Sequence, residues 1–177
     1  MKEISVKNMK LNPFTNFAKD WMALTAGNQK DGYNTMTVAW GHLGAIWERE
    51  RHTNQLPTVI CYVRPSRYTQ EFLDKEPYFT LSYFGNDGKK LLGYLGTHSG
   101  RDEDKIKTVG LTPVFDCETT YFAEAKTVFI CRKLYHAPIL ENGFVDKGLI
   151  DFNYPEKDFH EMYIGEIVKV LVNSEHE

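Results

Sequence analysis

The chain has 177 residues, 42% of them hydrophobic and 25% charged, which suits one soluble domain over residues 1–177 with a substantial core. A net charge of −3 leaves no footprint for nucleic acid, whose binders cluster Lys and Arg to displace counterions. No apolar run reaches the length of a membrane span, and Met1–Lys7 lacks the apolar core of a signal peptide, so a cytoplasmic protein is expected.

In chain order, Pro13–Ala18 reads as an irregular lead-in and Trp21–Ala26 as a strand. Gly27–Gly32 is a hairpin-type loop. The next stretch, Gly32–Trp40, mixes hydroxyl, β-branched and aromatic side chains without a charge and reads as the central strand. Alternation places Asn34, Met36, Val38 and Trp40 on one face and Thr35, Thr37 and Ala39 on the other. A face of small hydroxyls and a methyl suits close approach by a flat, polar-edged ligand. Gly41–Trp47 has no clear period and is expected to be a loop or short helix. The charged run Trp47–His52 is expected to be an exposed loop bordering a cleft.

Thr58–Val63 is a continuous apolar run of strand length, expected to be buried on both faces. Pro65 ends it, and Ser66 is positioned to cap a helix through Leu73. Tyr78–Phe84 reads as a strand and Lys89–Leu95 as a helix. Ser99 or Asp102 is expected to open a short helix through Lys107. Ala125–Tyr135 and His160–Val172 read as long strands, with a helix or loop over Asn142–Pro155 between them. Some six strands with short helices predict a mainly β fold, a barrel with helical insertions.

Three cysteines without C-x-x-C spacing argue against zinc or a disulfide framework, and Cys61 and Cys131 sit in apolar runs as core thiols. The six histidines, at 42, 52, 98, 136, 160 and 176, show no metal-ligand spacing, so no metal is expected. There is no phosphate-cradling Walker loop, no G-x-G-x-x-G after a strand and no nucleophile elbow.

Two further segments carry unusual polarity. In Arg64-Pro65-Ser66-Arg67-Tyr68-Thr69 a strand ends in two arginines, hydroxyls and a new helix N-terminus, the groups a phosphate dianion requires. The same residues also describe an ordinary capped helix with surface arginines. Ser99, Arg101 and Lys105 supply hydroxyl and cations for a second wall of an anion site, or a solvated loop.

With these residues in hand, the chain resembles the flavin reductase-like family of FMN-binding split barrels, close to its flavoredoxin-type branch. The resemblance runs through Asn34–Trp40, Val63–Thr69, Ser99–Lys105 and His160–Ile167, and covers about residues 20–170. It implies a Greek-key split β-barrel, a homodimer, and FMN in a cleft near the subunit interface. It sets Asn34, Thr35, Met36, Thr37, Val38, Ala39 and Trp40 along the isoalloxazine ring. It brings Arg64, Ser66, Arg67, Tyr68 and Thr69 to the ribityl chain and phosphate, with Ser99, Arg101 and Lys105 completing the phosphate site. His160 falls where relatives that use a nicotinamide have a histidine near the open ring face; a satisfied strand-end histidine is the alternative. Trp40 either stacks near the flavin or fills the core.

The function so implied is an oxidoreductase passing electrons from NADH or NADPH, or from a partner redox protein, through FMN. Two other readings are a flavoredoxin-like electron carrier with little turnover of its own, and a non-catalytic split-barrel module that binds haem or another ligand. Flavin's redox chemistry is intrinsic to the cofactor, which accounts for the lack of an acid/base pair in the sequence.

Overall fold

The computed structural model describes residues 1–173. In chain order it contains β1 (Lys2–Ile4), α1 (Pro13–Thr15), β2 (Met22–Asn28), β3 (Gly32–Val38), β4 (Gly41–Ile46) and β5 (Leu56–Val63). Next come α2 (Tyr68–Lys75), β6 (Tyr78–Tyr83), α3 (Lys89–Thr97), α4 (Lys105–Thr108), β7 (Pro113–Val114) and β8 (Tyr121–Phe122). The chain closes with β9 (Thr127–Pro138), α5 (Gly148–Asn153) and β10 (Glu161–Val172).

The antiparallel strands follow the order β3-β2-β6-β9-β10-β5-β4, with β1 added on β10. β3 and β4 are thus opposite ends of the path, yet only Ala39 and Trp40 separate Val38 from Gly41. Three Cα steps reach at most about 11 Å. The sheet must therefore roll until its two edges meet at residues 39–40. The result is a barrel with a seam, the split-barrel fold.

The hairpin that starts the barrel is set by local chemistry. Asn28 Oδ1 accepts from the amides of Lys30 and Asp31, both at 2.9 Å. Gly27 has φ +103°, and a Cβ there would run into the backbone of Gly32 and Tyr33. At the other end of the hairpin, a Cβ on Gly41 would strike the Phe17 ring, so the chain can turn into β4 only over a glycine.

Alternation along β2 feeds two cores. Met22, Leu24 and Ala26 point into the barrel with Met36, Val38, Cys61 and Phe79. Ala23 points outward, under Leu92 and Leu95 of α3 and Phe122 of β8. Each fully buried large apolar side chain contributes about 1.5–3 kcal/mol. The second core also contains a threonine row. Thr25 lies opposite both Thr35 and Thr80 in the sheet; its hydroxyl meets that of Thr35 at 2.9 Å, and Thr80 donates to the Thr120 carbonyl at 2.6 Å.

Several expectations are corrected. Gly41–Ile46 is strand β4, paired from Gly41↔Cys61 to Ile46↔Leu56; its two glycines and exposed positions hide the strand period. Thr58–Val63 buries Val59, Cys61 and Val63 in the barrel, while Ile60 and Tyr62 on the outer face are only half-buried. Ser66 does not cap α2, whose N-cap is Arg67 with no side-chain cap bond. α4 opens at Asp104, whose carboxylate accepts from the Lys107 amide at 3.1 Å. Ten strands are present among the described residues, because β1, β4, β7 and β8 are short or weakly patterned. The strands over Trp21–Ala26, Tyr78–Phe84, Ala125–Tyr135 and His160–Val172, and the helix over Lys89–Leu95, are present with shifted ends. Cys61, Cys117 and Cys131 are all free, and burial pushes the Cys61 and Cys131 thiols up, as in unreactive core cysteines. His176 lies outside the described residues; among those described, no cluster suits a metal ion.

Candidate functional site

The seam produces a groove. β3 is an edge strand, so its outer row of backbone N–H and C=O groups has no sheet partner among the described residues. Two cavities run beside it and share Met36 and Arg67. One, of about 90 Å³, is lined by Asn34, Ser66, Tyr68, Thr69, Ser99 and Lys105 among others. The other, of about 200 Å³, is lined by Thr37, Val38, Ala39, Trp40, Tyr62, Arg64 and His160. Beyond Ala39, Trp40 and Tyr62, an apolar recess of about 430 Å³ continues over Phe14, Phe17 and Leu43.

The first cavity is an anion site in its chemistry. Lys105 is 3% exposed, and its Nζ donates to the carbonyls of Leu95 at 2.9 Å and His98 at 2.8 Å. Burial, then the charge of Arg67, lowers its pKa to about 8, with Glu103 opposing. Arg67 Nη1 donates to the Gly96 carbonyl at 2.9 Å. Both cations are thus held by the carbonyl-rich C-terminal end of α3, where positive charge is favoured. The uncapped N-terminus of α2 adds amides free of side-chain partners. Asn34 Nδ2 donates to Thr69 Oγ1 at 2.8 Å and ties β3 to that helix start. Gly100 lies so close that a Cβ there would strike the Asn34 carboxamide.

The second cavity is uncharged along β3 and aromatic at its end. His160 is 9% exposed, with its ring centroid 4.6 Å from that of Trp40 and its Nδ1 2.9 Å from Tyr154 Oη. Burial, then Arg64, lowers the His160 pKa to about 4, so the imidazole is neutral near pH 7. Trp40 is 41% exposed at the seam, so it stands at the groove and does not fill the core.

The residues singled out in the sequence do not all converge. Asn34, Met36, Thr37, Val38, Ala39, Trp40, Arg64, Ser66, Arg67, Tyr68, Thr69, Ser99, Lys105 and His160 line the two cavities. Thr35 does not: its hydroxyl is spent on Thr25 and the Leu24 carbonyl inside the second core. Thr37 lines the groove, but its hydroxyl donates to the Leu92 carbonyl of α3. The hydroxyl face of β3 therefore meets α3 and the threonine row, and the strand's edge is what borders the groove. Arg101 turns away to pair with Glu71, its guanidinium 4.6 Å above the Tyr68 ring. Arg64 lines the second cavity, away from the anion end, and binds the segment before β10: it pairs with Asp158 and donates to the Asn153 carbonyl at 2.9 Å. The Trp47–His52 run is exposed, with Arg49 paired to Glu166 of β10.

Sequence reasoning missed Tyr62, Leu95, Thr97, His98 and Tyr154. Tyr62, on β5, stands two residues before Arg64, which follows the strand's end, a signal available from alternation. In the sequence Leu95 reads only as the end of a helix, and Tyr154 has no local signature at all.

The chain matches the model of the flavin reductase like domain over residues 53–177, and it belongs to that family. No curated protein matches it. Among solved structures, flavoredoxin of Desulfovibrio vulgaris (Miyazaki F) is similar at TM-score 0.63 and 20% identity, covering 99% of this chain and 78% of that one. Flavoredoxin from Methanosarcina acetivorans gives TM-score 0.61 and 18% identity over 94% of this chain and 76% of that one. The styrene monooxygenase flavin reductase of Pseudomonas putida S12 gives TM-score 0.60 and 15% identity, over 88% of this chain and 80% of that one. At these identities the likeness establishes the split-barrel fold. No helix among the described residues is long and apolar enough to cross a membrane.

Proposed function

We propose that this protein binds FMN in the seam groove and works as a flavin reductase, taking electrons from NADH or NADPH. The observation that carries the reading is the groove's polarity. One end holds Lys105, Arg67 and an uncapped helix start; the other runs along an uncharged strand edge to Trp40 and His160. A phosphate joined through a polar chain to a flat, polar-edged ring fits that sequence of environments. When bound, FMN supplies the two-electron chemistry.

The chain's residues bind and orient. Lys105 and Arg67 hold the phosphate by charge-assisted hydrogen bonds, and Ser66, Thr69 and Ser99 add hydroxyls. The edge of β3 from Met36 to Trp40 offers backbone donors and acceptors to the ring's polar rim. Trp40 and Tyr62 shield one side from water. Among the described residues no carboxylate lines the second cavity, and neutral His160 presents a hydrogen-bonding edge there.

A homodimer is part of the proposal. Ile46 at the end of β4, Trp47 just after it and Tyr135 of β9 are exposed, with Trp47 and Tyr135 centroids 6.5 Å apart, an apolar surface that a second copy would cover. An electron carrier fed by a partner redox protein is the second reading, favoured by the likeness to two flavoredoxins. Titration of the protein with FMN, followed by steady-state oxidation of NADH and NADPH with excess FMN, separates them. A reductase turns over the added flavin; a carrier binds it and consumes little nicotinamide; absent binding removes both.

A further inference from the structure

We propose that Tyr154 is a positioning residue for His160: its O–H donates to Nδ1 and so fixes the imidazole proton on Nε2, facing the groove. The hydrogen-bond inventory decides the direction. Tyr154 is 3% exposed and its Oη lies 2.9 Å from His160 Nδ1. A phenol has one hydrogen to donate, and among the described residues Nδ1 is the only acceptor within reach of this one. If Nδ1–H donated instead, the Tyr154 hydrogen would be buried without a partner, at a cost of about 1–3 kcal/mol.

The surroundings hold the pair in this state. Burial raises the Tyr154 pKa, with Arg64 and the His160 amide opposing, so the phenol keeps its proton. His160 faces Arg64, Asp158 and Arg67; burial and the two arginines keep its ring neutral against the carboxylate. Arg64 also sits 5.3 Å from the Tyr154 ring centroid and pairs with Asp158, which fastens the segment carrying Tyr154 to the end of β5. Trp40 packs against His160 at a 35° tilt and lies edge-on to Tyr154 at 82°. No protein group among the described residues bonds Nε2, and His160 lines the second cavity, so Nε2–H is the donor left to face what binds there. In the neutral state it donates a hydrogen bond and carries no charge.

The catalytic consequence rests on the flavin reductase reading; the tautomer does not. The test uses the full chain, labelled with ¹⁵N and saturated with FMN. Long-range ¹H–¹⁵N spectra at neutral pH should show His160 as the Nε2–H tautomer, and Tyr154→Phe should convert it to a mixture. An Nδ1–H tautomer in the wild type, or a spectrum unchanged in Tyr154→Phe, overturns the proposal. In anaerobic mixing with NADH or NADPH, Tyr154→Phe should slow flavin reduction roughly tenfold with FMN affinity unchanged. His160→Ala should show the same rate with or without Tyr154→Phe; additive losses would overturn the idea that Tyr154 acts through His160. Should neither nicotinamide reduce the wild type, the proposed function fails, and the spectra alone still decide the tautomer.

Discussion

Arg67 and Lys105 come from different elements to the same helix end: Arg67 donates to the Gly96 carbonyl at 2.9 Å, and Lys105 to those of Leu95 at 2.9 Å and His98 at 2.8 Å. Two cations fixed by neutral acceptors keep their charge uncompensated. That distinguishes them from Arg101, which spends its charge on Glu71.

Replacing both Arg67 and Lys105 with Gln should therefore weaken FMN binding by at least about 100-fold, since each charge-assisted bond is worth roughly 1.5–3 kcal/mol. Arg101→Gln should leave the affinity within about threefold, the scale of an exposed ion pair. Fluorescence titration measures both, with circular dichroism to check the fold. A large loss from Arg101→Gln would mean that it leaves Glu71 for the ligand.

FMN affinity should also fall as pH rises through about 8, where Lys105 loses its proton in the free protein. A bound phosphate dianion raises that pKa, so protonation and binding are linked, and the loss begins at the free protein's value. Lys105→Gln should bind weakly and without this inflection. Titrations across pH 7 to 9.5 would show the inflection or its absence.

How much of this was legible in the sequence depends on how local each signal is. The hydroxyls, arginines and Pro of Arg64–Thr69 mark a strand end and a helix start within six residues; the strand ends at Val63 as expected, and the helix starts one residue later than a Ser66 cap implies, with Arg67 as its N-cap. The role of Arg64 was not legible, because its partners Asn153 and Asp158 lie some ninety positions away and are brought together only by closure of the barrel. Thr35 and Thr37 illustrate a different failure. Alternation gave their shared face correctly, but not that α3 and the row through Thr25 and Thr80 would cover it. β4 was lost because an edge strand with two glycines has neither helical nor strand period.

The neutral state of His160 gives a stability prediction. Its folded pKa of about 4 lies below the ordinary imidazole value of 6.5, so the unfolded chain binds the extra proton first. Stability from this group is complete above pH 6.5 and falls as pH drops from 6.5 towards 4. Relative to wild type, His160→Gln should show a shallower loss of denaturation midpoint over that window. Equal slopes in chemical denaturation would mean that the imidazole titrates alike in the folded and unfolded chain, contradicting a desolvated His160.

Gly100→Ala tests the packing behind the anion site. The new Cβ would strike the Asn34 carboxamide and press on the Tyr68 ring, displacing the Asn34–Thr69 bond that ties β3 to α2. A weakened FMN affinity with only a modest change in melting temperature is expected. Wild-type affinity would show that the loop relaxes without disturbing the groove.

The most direct test of the central claim is an absorbance spectrum of the protein with FMN bound, followed anaerobically after NADH and then NADPH is added. The account predicts a flavin spectrum that one of the two nicotinamides bleaches within seconds, at a rate that His160→Ala lowers. A protein that gains no flavin absorbance, or a bound flavin that neither nicotinamide bleaches, would contradict it.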